Sequence, residues 1–464
     1  MGKALVIDGK SYFKKILIFS LPLMLTGVLQ SFYNAADLIV VGRFESDMAL
    51  AAVGSTGSLT NLILGLFMGL SVGAGVTVAH AVGAGKRLDV QRTLHTAICI
   101  ALILGAVVGA IGFVLAPQLL RLMDSPEEII GMSALYVRII FLGAPASIVY
   151  NYAAAMLRAT GDSKHPLVFL AVSGLINVIC NLILVVPFGL GVVGVGVATV
   201  LSQYVSAVMI IVHLSRQKGA LRFSFKRLRI HKDKVGKILM IGIPSGVQGT
   251  LFSFSNVILQ SSINSLGPAV VAGSAASSNI ESFYYVAYHA FYDAALTFVG
   301  QCVGAKRYKD IKKIVLWSML IVLIFAVVLI TVGLLLRDVL IGMYITDNPA
   351  AFDIARARYA MLVIPYFLCG FMEIGSGTLR GMGRSVTSAV ISLIFACLFR
   401  VIWIAVVFRL VPIPEMIYIT YPISWILTTA VTMLFVTVSV KKEQREEKTR
   451  AMEYATVQLN SEEE

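Results

Sequence analysis

Residues 15–22 read KILIFSLP, and residues 237–244 read KILMIGIP. The same order of motifs continues along the chain, because VGAGKR at 82–87 returns as VGAKR at 303–307. In the same way, LRATGDS at 157–163 returns as LRGMGRS at 379–385. Many secondary transporters are built from a duplicated apolar unit, with the substrate path between the two halves. The repeat therefore predicts two similar halves and favours a transport function.

The composition places both halves in a membrane. Of 464 residues, 58% are apolar and 14% are charged, and the mean hydropathy is +0.86. A soluble protein carries about 25% charged residues. The apolar runs are long enough to cross the ~30 Å of hydrocarbon in a bilayer. They lack the alternation of a barrel strand, so helices must satisfy the backbone. We predict an all-α polytopic membrane protein.

Twelve membrane spans can be placed, six in each half. They lie near 14–41, 48–80, 93–116, 133–157, 165–187, 191–215, 237–265, 269–300, 313–336, 354–379, 385–410 and 415–440. An even number of spans returns the chain to its starting side, so we expect two six-helix bundles related by an axis along the membrane normal. The predicted domains are an N-lobe (1–215), a basic linker (216–236), a C-lobe (237–440) and a solvated, partly helical tail (441–464).

Basic residues predict the orientation of these spans. The net charge is +13, and lysine and arginine concentrate in the connections near 86–92 and 306–313 and in the linker. The positive-inside rule places these segments and both termini in the cytoplasm. We interpret the basic linker in the same way and expect no nucleic-acid partner. No cleavage site follows the N-terminal lysines, which favours a retained first helix over a signal peptide.

Polar residues inside the spans of the first half form the first candidate site. Ionisable groups are costly in hydrocarbon and usually face a cavity or a partner. Asp37 lies on one face of the first span, and counting ~1.5 Å per residue predicts that it meets Asn181 of the fifth span. Asp37 would then bind H⁺ or Na⁺, although pairing with Arg43 at a helix end is the alternative. The candidate N-lobe residues are Gln30, Tyr33, Asn34, Asp37, Asn177, Asn181, Thr199 and Gln203.

The second half contains its own set of intramembrane polar residues. Depth counting matches Glu281 with Arg400, as a pair that neutralises two costly charges. It matches Glu373 with Asp293. His289 near a carboxylate is either a proton site or an ordinary buried histidine. The candidate C-lobe residues are Asn256, Gln260, Glu281, Tyr285, His289, Asp293, Glu373 and Arg400.

The chain lacks the motifs of an enzyme or a cofactor-binding protein. The glycine-rich residues 189–194 match a dinucleotide-binding pattern by letter, but no strand or downstream acid of a βαβ unit surrounds them. Five cysteines show no paired ligand spacing, so neither disulfides nor a zinc site is predicted. We predict no cofactor and no metal site other than Na⁺ at Asp37.

Together, the motifs resemble the multidrug and toxic compound extrusion (MATE) family. The resemblance covers roughly residues 12–440. It is carried by SLP at 20–22, the stretch from Asp37 to GR at 42–43, GAG at 83–85, LRATGD at 157–162, GVGVAT at 194–199 with SQ at 202–203, and LRGMG at 379–383.

The resemblance implies two lobes around a V-shaped cleft, alternating access, and export of cationic or amphipathic organic compounds against inward H⁺ or Na⁺. It implies a bacterial inner or plasma membrane protein, and we expect a monomer. Asp37 falls on the family's first-helix acid, and Tyr33, Asn177 and Thr199 fall on positions of its N-lobe site. Asn181 stands where many bacterial relatives carry an aspartate, and Phe252 stands near the place of the family's seventh-helix glutamate.

Two other transporter classes fit the same architecture. A lipid-linked saccharide flippase uses this scaffold, but its cleft should be lined by several basic residues for pyrophosphate. A major-facilitator carrier also has two parallel six-helix halves, with different loop motifs. A membrane-embedded enzyme would need a nucleophile or a metal cluster that the sequence does not display.

Overall fold

The computed structural model describes residues 11–45, 47–123, 127–346 and 348–462, and no strand occurs among them. In the first half the helices are α1 (Tyr12–Phe44), α2 (Asp47–Gly83), α3 (Arg87–Leu122), α4 (Glu127–Leu142), α5 (Ala144–Ala159), α6 (Lys164–Val185) and α7 (Gly191–Arg216). The second half forms α8 (Lys232–Asn264), α9 (Pro268–Gly304), α10 (Tyr308–Leu335), α11 (Arg337–Gly342), α12 (Pro349–Val363), α13 (Phe367–Gly381), α14 (Ser385–Ser392), α15 (Phe399–Trp403), α16 (Pro414–Tyr418) and α17 (Thr420–Glu462). The prediction of an all-α chain is confirmed.

Ten helical stretches in the described part of the chain are long and apolar enough to cross a membrane, and α4 with α5 adds an eleventh as a bent pair. Three of the ten consist of consecutive segments, namely Pro349–Gly381, Ser385–Phe408 and Pro414–Thr449. The predicted span near 269–300 corresponds to α9, which has 37 residues but is not among these helices. Its polar side chains include Glu281, His289 and Asp293. Polar residues lower the mean hydropathy of a helix without shortening it. The twelve predicted spans therefore agree closely with the observed helices.

Several predicted spans are interrupted rather than straight. The span predicted at 133–157 is divided into α4 and α5, which are bent by 45°. Pro145 lies at the start of α5 and cannot donate a backbone hydrogen bond, which explains a break at this point. The predicted tenth span contains a 3₁₀ turn at Ile364–Tyr366, and the eleventh contains π-helical segments at Leu393–Leu398 and Ile404–Phe408. The sequence pattern reports apolar length, and it does not report such local changes of pitch.

The chain forms two compact units. Unit 1 contains Phe19–Val82 and Lys86–Ser253, and unit 2 contains residues 11–18, 83–85 and the chain from Phe254 onward. The linker after α7 belongs to unit 1 and packs on α3 within it. There, His95 Nε2 accepts a hydrogen bond from the backbone N–H of Ser224 at 3.2 Å, and Phe223 is buried. The linker is therefore an ordered part of unit 1.

The duplicated turns share an unusual backbone conformation. Gly85, in the turn after α2, has a φ of +68°, and Lys306, in the corresponding turn after α9, has a φ of +56°. The second pair of repeated turns has Gly161 at +91° and Gly383 at +78°. Left-handed backbone at matching positions indicates that the two halves repeat in structure as well as in sequence. Lys306 is the one described residue other than glycine with a positive φ.

Candidate functional site

Asp37 lies at the centre of a polar cluster inside unit 1. Asn181 Nδ2 of α6 donates a hydrogen bond to Asp37 Oδ1 at 2.5 Å, and Thr199 Oγ1 of α7 donates to Oδ2 at 3.3 Å. Three helices thus meet at one partly buried carboxylate. The contact predicted between Asp37 and Asn181 is confirmed.

The amide residues of α6 are positioned by helical spacing. Asn177 and Asn181 lie four residues apart, on the same face, and both are buried. Asn181 Nδ2 also approaches Asn177 Oδ1 at 3.3 Å, and Asn177 Nδ2 donates to Thr199 Oγ1 at 3.3 Å. The cluster therefore offers amide, hydroxyl and carboxylate oxygens in a small volume.

The amide oxygen of Asn181 lacks a protein partner. This Oδ1 atom is buried and makes no hydrogen bond to any residue that the structure describes. An unpaired buried oxygen costs free energy, of the order of 1–3 kcal/mol. A bound cation or a proton donor beside Asp37 would remove this cost.

Asp37 has no cationic partner in the described part of the chain. No lysine, arginine or histidine within residues 11–45, 47–123, 127–346 and 348–462 forms an ion pair with its carboxylate. The alternative pairing with Arg43 is therefore not observed. Hydrogen bonds from neutral groups are the only described stabilisation of its charge.

Tyr33 packs against α6 beside the cluster. Its ring lies on Gly174, where a side-chain methyl group would overlap it, and its hydroxyl donates to the carbonyl of Ala171 at 3.2 Å. Gln30 and Asn34, the other candidates on α1, are exposed. Gln203 lies one helical turn beyond Thr199 and packs at Gly143, and its Oε1 atom is buried without a described hydrogen bond. Of the candidates on α1, Asp37 and Tyr33 therefore contact α6.

In unit 2, Glu281 forms a buried ion pair that the sequence analysis assigned to the wrong arginine. Arg358 Nε lies 3.1 Å from Glu281 Oε1, and Arg358 Nη2 lies 3.2 Å from Oε2. Ser277 Oγ donates to the same carboxylate at 2.6 Å. The predicted pairing with Arg400 is therefore wrong. Depth along a helix does not fix the direction in which a side chain leaves it.

Arg400 is buried among aromatic and hydroxyl groups instead. Its Nε donates to Ser424 Oγ at 2.9 Å, and its guanidinium carbon lies 4.3 Å from the centre of the Tyr421 ring. The ring face attracts a cation, so it offsets part of the cost of burying this charge. Arg358 contacts the same ring at 5.9 Å and that of Tyr418 at 5.0 Å.

A second polar group in unit 2 combines His289 with Glu373. His289 Nδ1 lies 3.1 Å from Glu373 Oε2, and its ring stacks on Tyr292 with centroids 4.9 Å apart. The ring of Tyr285 also stacks on that of His289, with centroids 5.4 Å apart. Depth counting matched Glu373 with Asp293, and the structure shows a hydrogen bond between Glu373 Oε2 and His289 Nδ1. Asp293 follows His289 by one helical turn on α9.

The remaining candidates of unit 2 lie on α8. Asn256 and Gln260 are both exposed, and Gln260 Nε2 donates to Asn264 Oδ1 at 2.9 Å along the same helix. This contact is local. It does not join the two residues to the ion pair or to the histidine group.

Two buried arginines were not among the predicted site residues. Arg358 holds Glu281, and Arg380 donates to the hydroxyl of Tyr292 at 2.5 Å. Arg358 lies near the start of the tenth predicted span (354–379) and was given no role there. Arg380 belongs to the repeated LRGMGRS motif. Its place in a repeat was the available signal of a structural role.

Comparison with known proteins identifies the family. The MatE family model matches residues 22–183 and 244–406, one stretch in each half of the chain. The chain belongs to the MatE family. As a MatE protein it is a membrane transporter and not an enzyme, and the predicted resemblance is confirmed.

Relatives of this MatE protein have been described in several bacteria. The chain is 28% identical to "Probable multidrug resistance protein YoeA" of Bacillus subtilis, over 82% of this chain and 84% of YoeA. It is 24% identical to "Multidrug export protein MepA" of Staphylococcus aureus, over 81% of this chain and 83% of MepA. A solved outward-facing MATE transporter of the MOP superfamily superimposes with a TM-score of 0.89 at 20% identity, covering 96% of this chain and 99% of that one. This last likeness shows the fold.

Proposed function

We propose that this protein is a secondary active multidrug antiporter, which exports cationic or amphipathic organic compounds in exchange for inward H⁺ or Na⁺. Membership of the MatE family and the names of YoeA and MepA support export of drugs. The Asp37 cluster supports coupling to a cation. It is the single observation on which the coupling part of the proposal depends.

Two occupants suit the Asp37 cluster. A proton on Asp37 would make its carboxyl group a donor, and Asn181 Oδ1 would become its acceptor after rotation of the amide. A Na⁺ ion would instead gather oxygens from Asp37, Asn177, Asn181 and Thr199, which are the hard ligands that such a cation prefers. In either case the ion replaces the missing partner of the carboxylate.

The driving force of one such ion is sufficient for modest export. One elementary charge moving through 100 mV yields about 2.3 kcal/mol, which corresponds to roughly a 50-fold gradient of a neutral substrate. A chemical gradient of H⁺ or Na⁺ adds to this value. A single carboxylate therefore suffices, even though Asn181 replaces a second acid of the family.

We also propose where the protein is located, how it is oriented in the membrane and what its partners are. Both termini and the linker lie in the cytoplasm of a bacterial cell, since the basic connections obey the positive-inside rule. The partners are small organic substrates and the lipid bilayer, and the protein acts as a monomer. The flippase alternative is weakened because Glu281 neutralises Arg358, which leaves fewer free cations for a pyrophosphate group.

The decisive experiment is ethidium efflux from proteoliposomes under separately imposed H⁺ and Na⁺ gradients. The wild-type protein should respond to one of the two gradients, and Asp37→Asn should lose at least about 90% of that response, since an amide cannot carry the charge. Asp233→Asn is the matched control, because Asp233 is an exposed aspartate of unit 1.

Three results would contradict the proposal. Ion-driven efflux by Asp37→Asn at the wild-type rate would remove Asp37 as the coupling group. If Glu373→Gln lost coupling and Asp37→Asn kept it, the coupling site would lie in unit 2. Failure of the wild-type protein to move any cationic dye under either gradient would reject antiport of such compounds.

A further inference from the structure

Two histidines and an aspartate meet at one end of unit 1, outside the Asp37 cluster. They are Asp162 in the turn before α6, His165 in the first turn of α6, and His213 in the last turn of α7. Each offers one ligand atom, and these atoms all lie within 4.8 Å of one another. Two different helices and a connecting turn thus bring three metal-ligating side chains together.

Part of this arrangement has an ordinary role. Asp162 Oδ1 accepts a hydrogen bond from the backbone N–H of His165 at 3.2 Å and so satisfies a free N–H in the first turn of α6, while Oδ2 lies 2.6 Å from His165 Nδ1. That role does not require His213. Its ring centre lies 4.2 Å from that of His165, close enough for electrostatic repulsion if both imidazoles were protonated.

The surroundings hold the two imidazoles in place. The buried ring of Phe169 lies 5.4 Å from the His213 ring and 6.1 Å from the His165 ring. The Gln217 amide lies 2.8 Å from His213 Nε2, and a ligating histidine commonly has such a partner on its other nitrogen. The His165 side chain is 49% exposed, so an ion can reach the group from solvent.

We propose that Asp162, His165 and His213 form a site for a divalent transition-metal ion of the Zn²⁺ class. Zinc binds histidine nitrogen at about 2.0–2.1 Å and carboxylate oxygen at about 2.0–2.2 Å. Ligand atoms in a tetrahedral site of this size lie about 3.3–3.5 Å apart, so small side-chain rotations bring the three atoms to that spacing. Two imidazoles select zinc and its neighbours over Mg²⁺ and Ca²⁺, which prefer oxygen ligands.

The bound ion would join the turn between α5 and α6 to the end of α7. Water fills the fourth position, as in other zinc sites with three protein ligands. The site lies within unit 1 and is independent of the Asp37 cluster. Zn²⁺ binding at this site can therefore be tested separately from cation-coupled transport.

The test is Zn²⁺ binding to the purified full-length protein in detergent, after removal of any histidine tag. Equilibrium dialysis of wild type should show one bound Zn²⁺ that His165→Ala and His213→Ala bind at least about tenfold more weakly. His231→Ala is the control, since His231 lies elsewhere in unit 1 and contacts Thr96. Excess Mg²⁺ should not displace the Zn²⁺.

Co²⁺ provides a second readout through its visible absorption. An intense four-coordinate spectrum should form with wild type and His231→Ala and be lost in the two test variants. Thermal unfolding without metal checks that each variant is folded, and His213→Gln replaces His213→Ala if that variant is not. Equal Zn²⁺ binding by wild type and both test variants, or a Co²⁺ spectrum equal to that of the hydrated ion, overturns the proposal.

Discussion

Single charged residues in this protein differ in how their charge is satisfied. Asp37 is held by an amide and a hydroxyl group, whereas Glu281 is held by the guanidinium of Arg358 and the hydroxyl of Ser277. A carboxylate that only neutral groups hold can exchange its occupant. A carboxylate that is locked to a buried arginine serves mainly to neutralise that arginine. This difference favours Asp37 over Glu281 as the coupling group.

The Glu281–Arg358 pair gives a prediction at this scale. Arg358 is 3% exposed and Glu281 is 6% exposed, so removing one partner leaves an uncompensated buried charge. We expect Arg358→Met to lower the free energy of unfolding by about 3–5 kcal/mol, whereas Glu281→Met with Arg358→Met should recover most of this loss. Denaturation of the four proteins of this double-mutant cycle in detergent measures the coupling. A loss in the double variant equal to the sum of the two single losses would show that the two charges do not interact.

The helices of unit 1 approach one another through glycine. Gly69 and Gly73 lie one turn apart on α2, and Gly242 and Gly246 lie one turn apart on α8. A methyl group at Gly69 would overlap the backbone of Gly246, and one at Gly73 would overlap the carbonyl of Ile238. Small residues at this spacing let two membrane helices pack backbone to backbone. The contact explains why a helix from the second half of the chain belongs to unit 1.

This contact predicts that one glycine tolerates no side chain while another on the same helix does. Gly73→Ala should destabilise the protein by about 1–3 kcal/mol through overpacking. Gly65→Ala should be neutral or stabilise it by up to about 1 kcal/mol, because nothing lies within 4 Å of the added methyl group. Melting temperatures in detergent compare the two variants. A stable Gly73→Ala protein would mean that α2 and α8 are not closely packed.

The backbone strain in the turn between α9 and α10 gives a second prediction about stability. Lys306 adopts the left-handed conformation that Gly85 adopts in the matching turn, at a cost that is about 1–2 kcal/mol for a residue with a side chain. Lys306→Gly relieves this strain, but glycine loses more backbone entropy on folding. The net effect should raise the free energy of unfolding by about 0.5–1 kcal/mol. Lys312→Gly, at an exposed helical position of α10, should lower it by about 1 kcal/mol. If both substitutions destabilise equally, the turn at Lys306 is not strained.

At the scale of the whole molecule, the first helix of each half of the chain, α1 or α8, is divided between the two units. Residues 11–18 of α1 belong to unit 2, where Phe13 contacts Trp317 with ring centroids 6.0 Å apart. The first turns of α8 belong to unit 1, where Lys234 Nζ lies 2.7 Å from Asp89 Oδ1. Thus α1 begins in unit 2 and continues in unit 1, whereas α8 begins in unit 1 and continues in unit 2.

The proposed orientation can be checked on the whole protein in cells. In a variant without its own cysteines, Lys226→Cys in the linker should react with a membrane-impermeant maleimide only after permeabilisation. Arg121→Cys, at the other end of α3 from the linker, should react in intact cells. Both positions are exposed, so burial does not prevent either reaction. Labelling of both cysteines from the same side would contradict the predicted topology.

The sequence by itself determined that this chain is helical, lies in a membrane, is duplicated and belongs with the MatE proteins. These properties depend on apolar length, charge between spans and motif order, all of which can be read along the chain. It also placed Asp37 opposite Asn181, since both lie at matching depths.

Only the tertiary structure decided which charges meet. Glu281 pairs with Arg358 rather than Arg400, and His213 lies beside His165 although α7 and α6 contribute them separately. Depth in the bilayer follows from counting residues, because each adds a fixed rise to its helix. The rotation of each helix about its own axis follows from the packing of its whole surface, which no short pattern records.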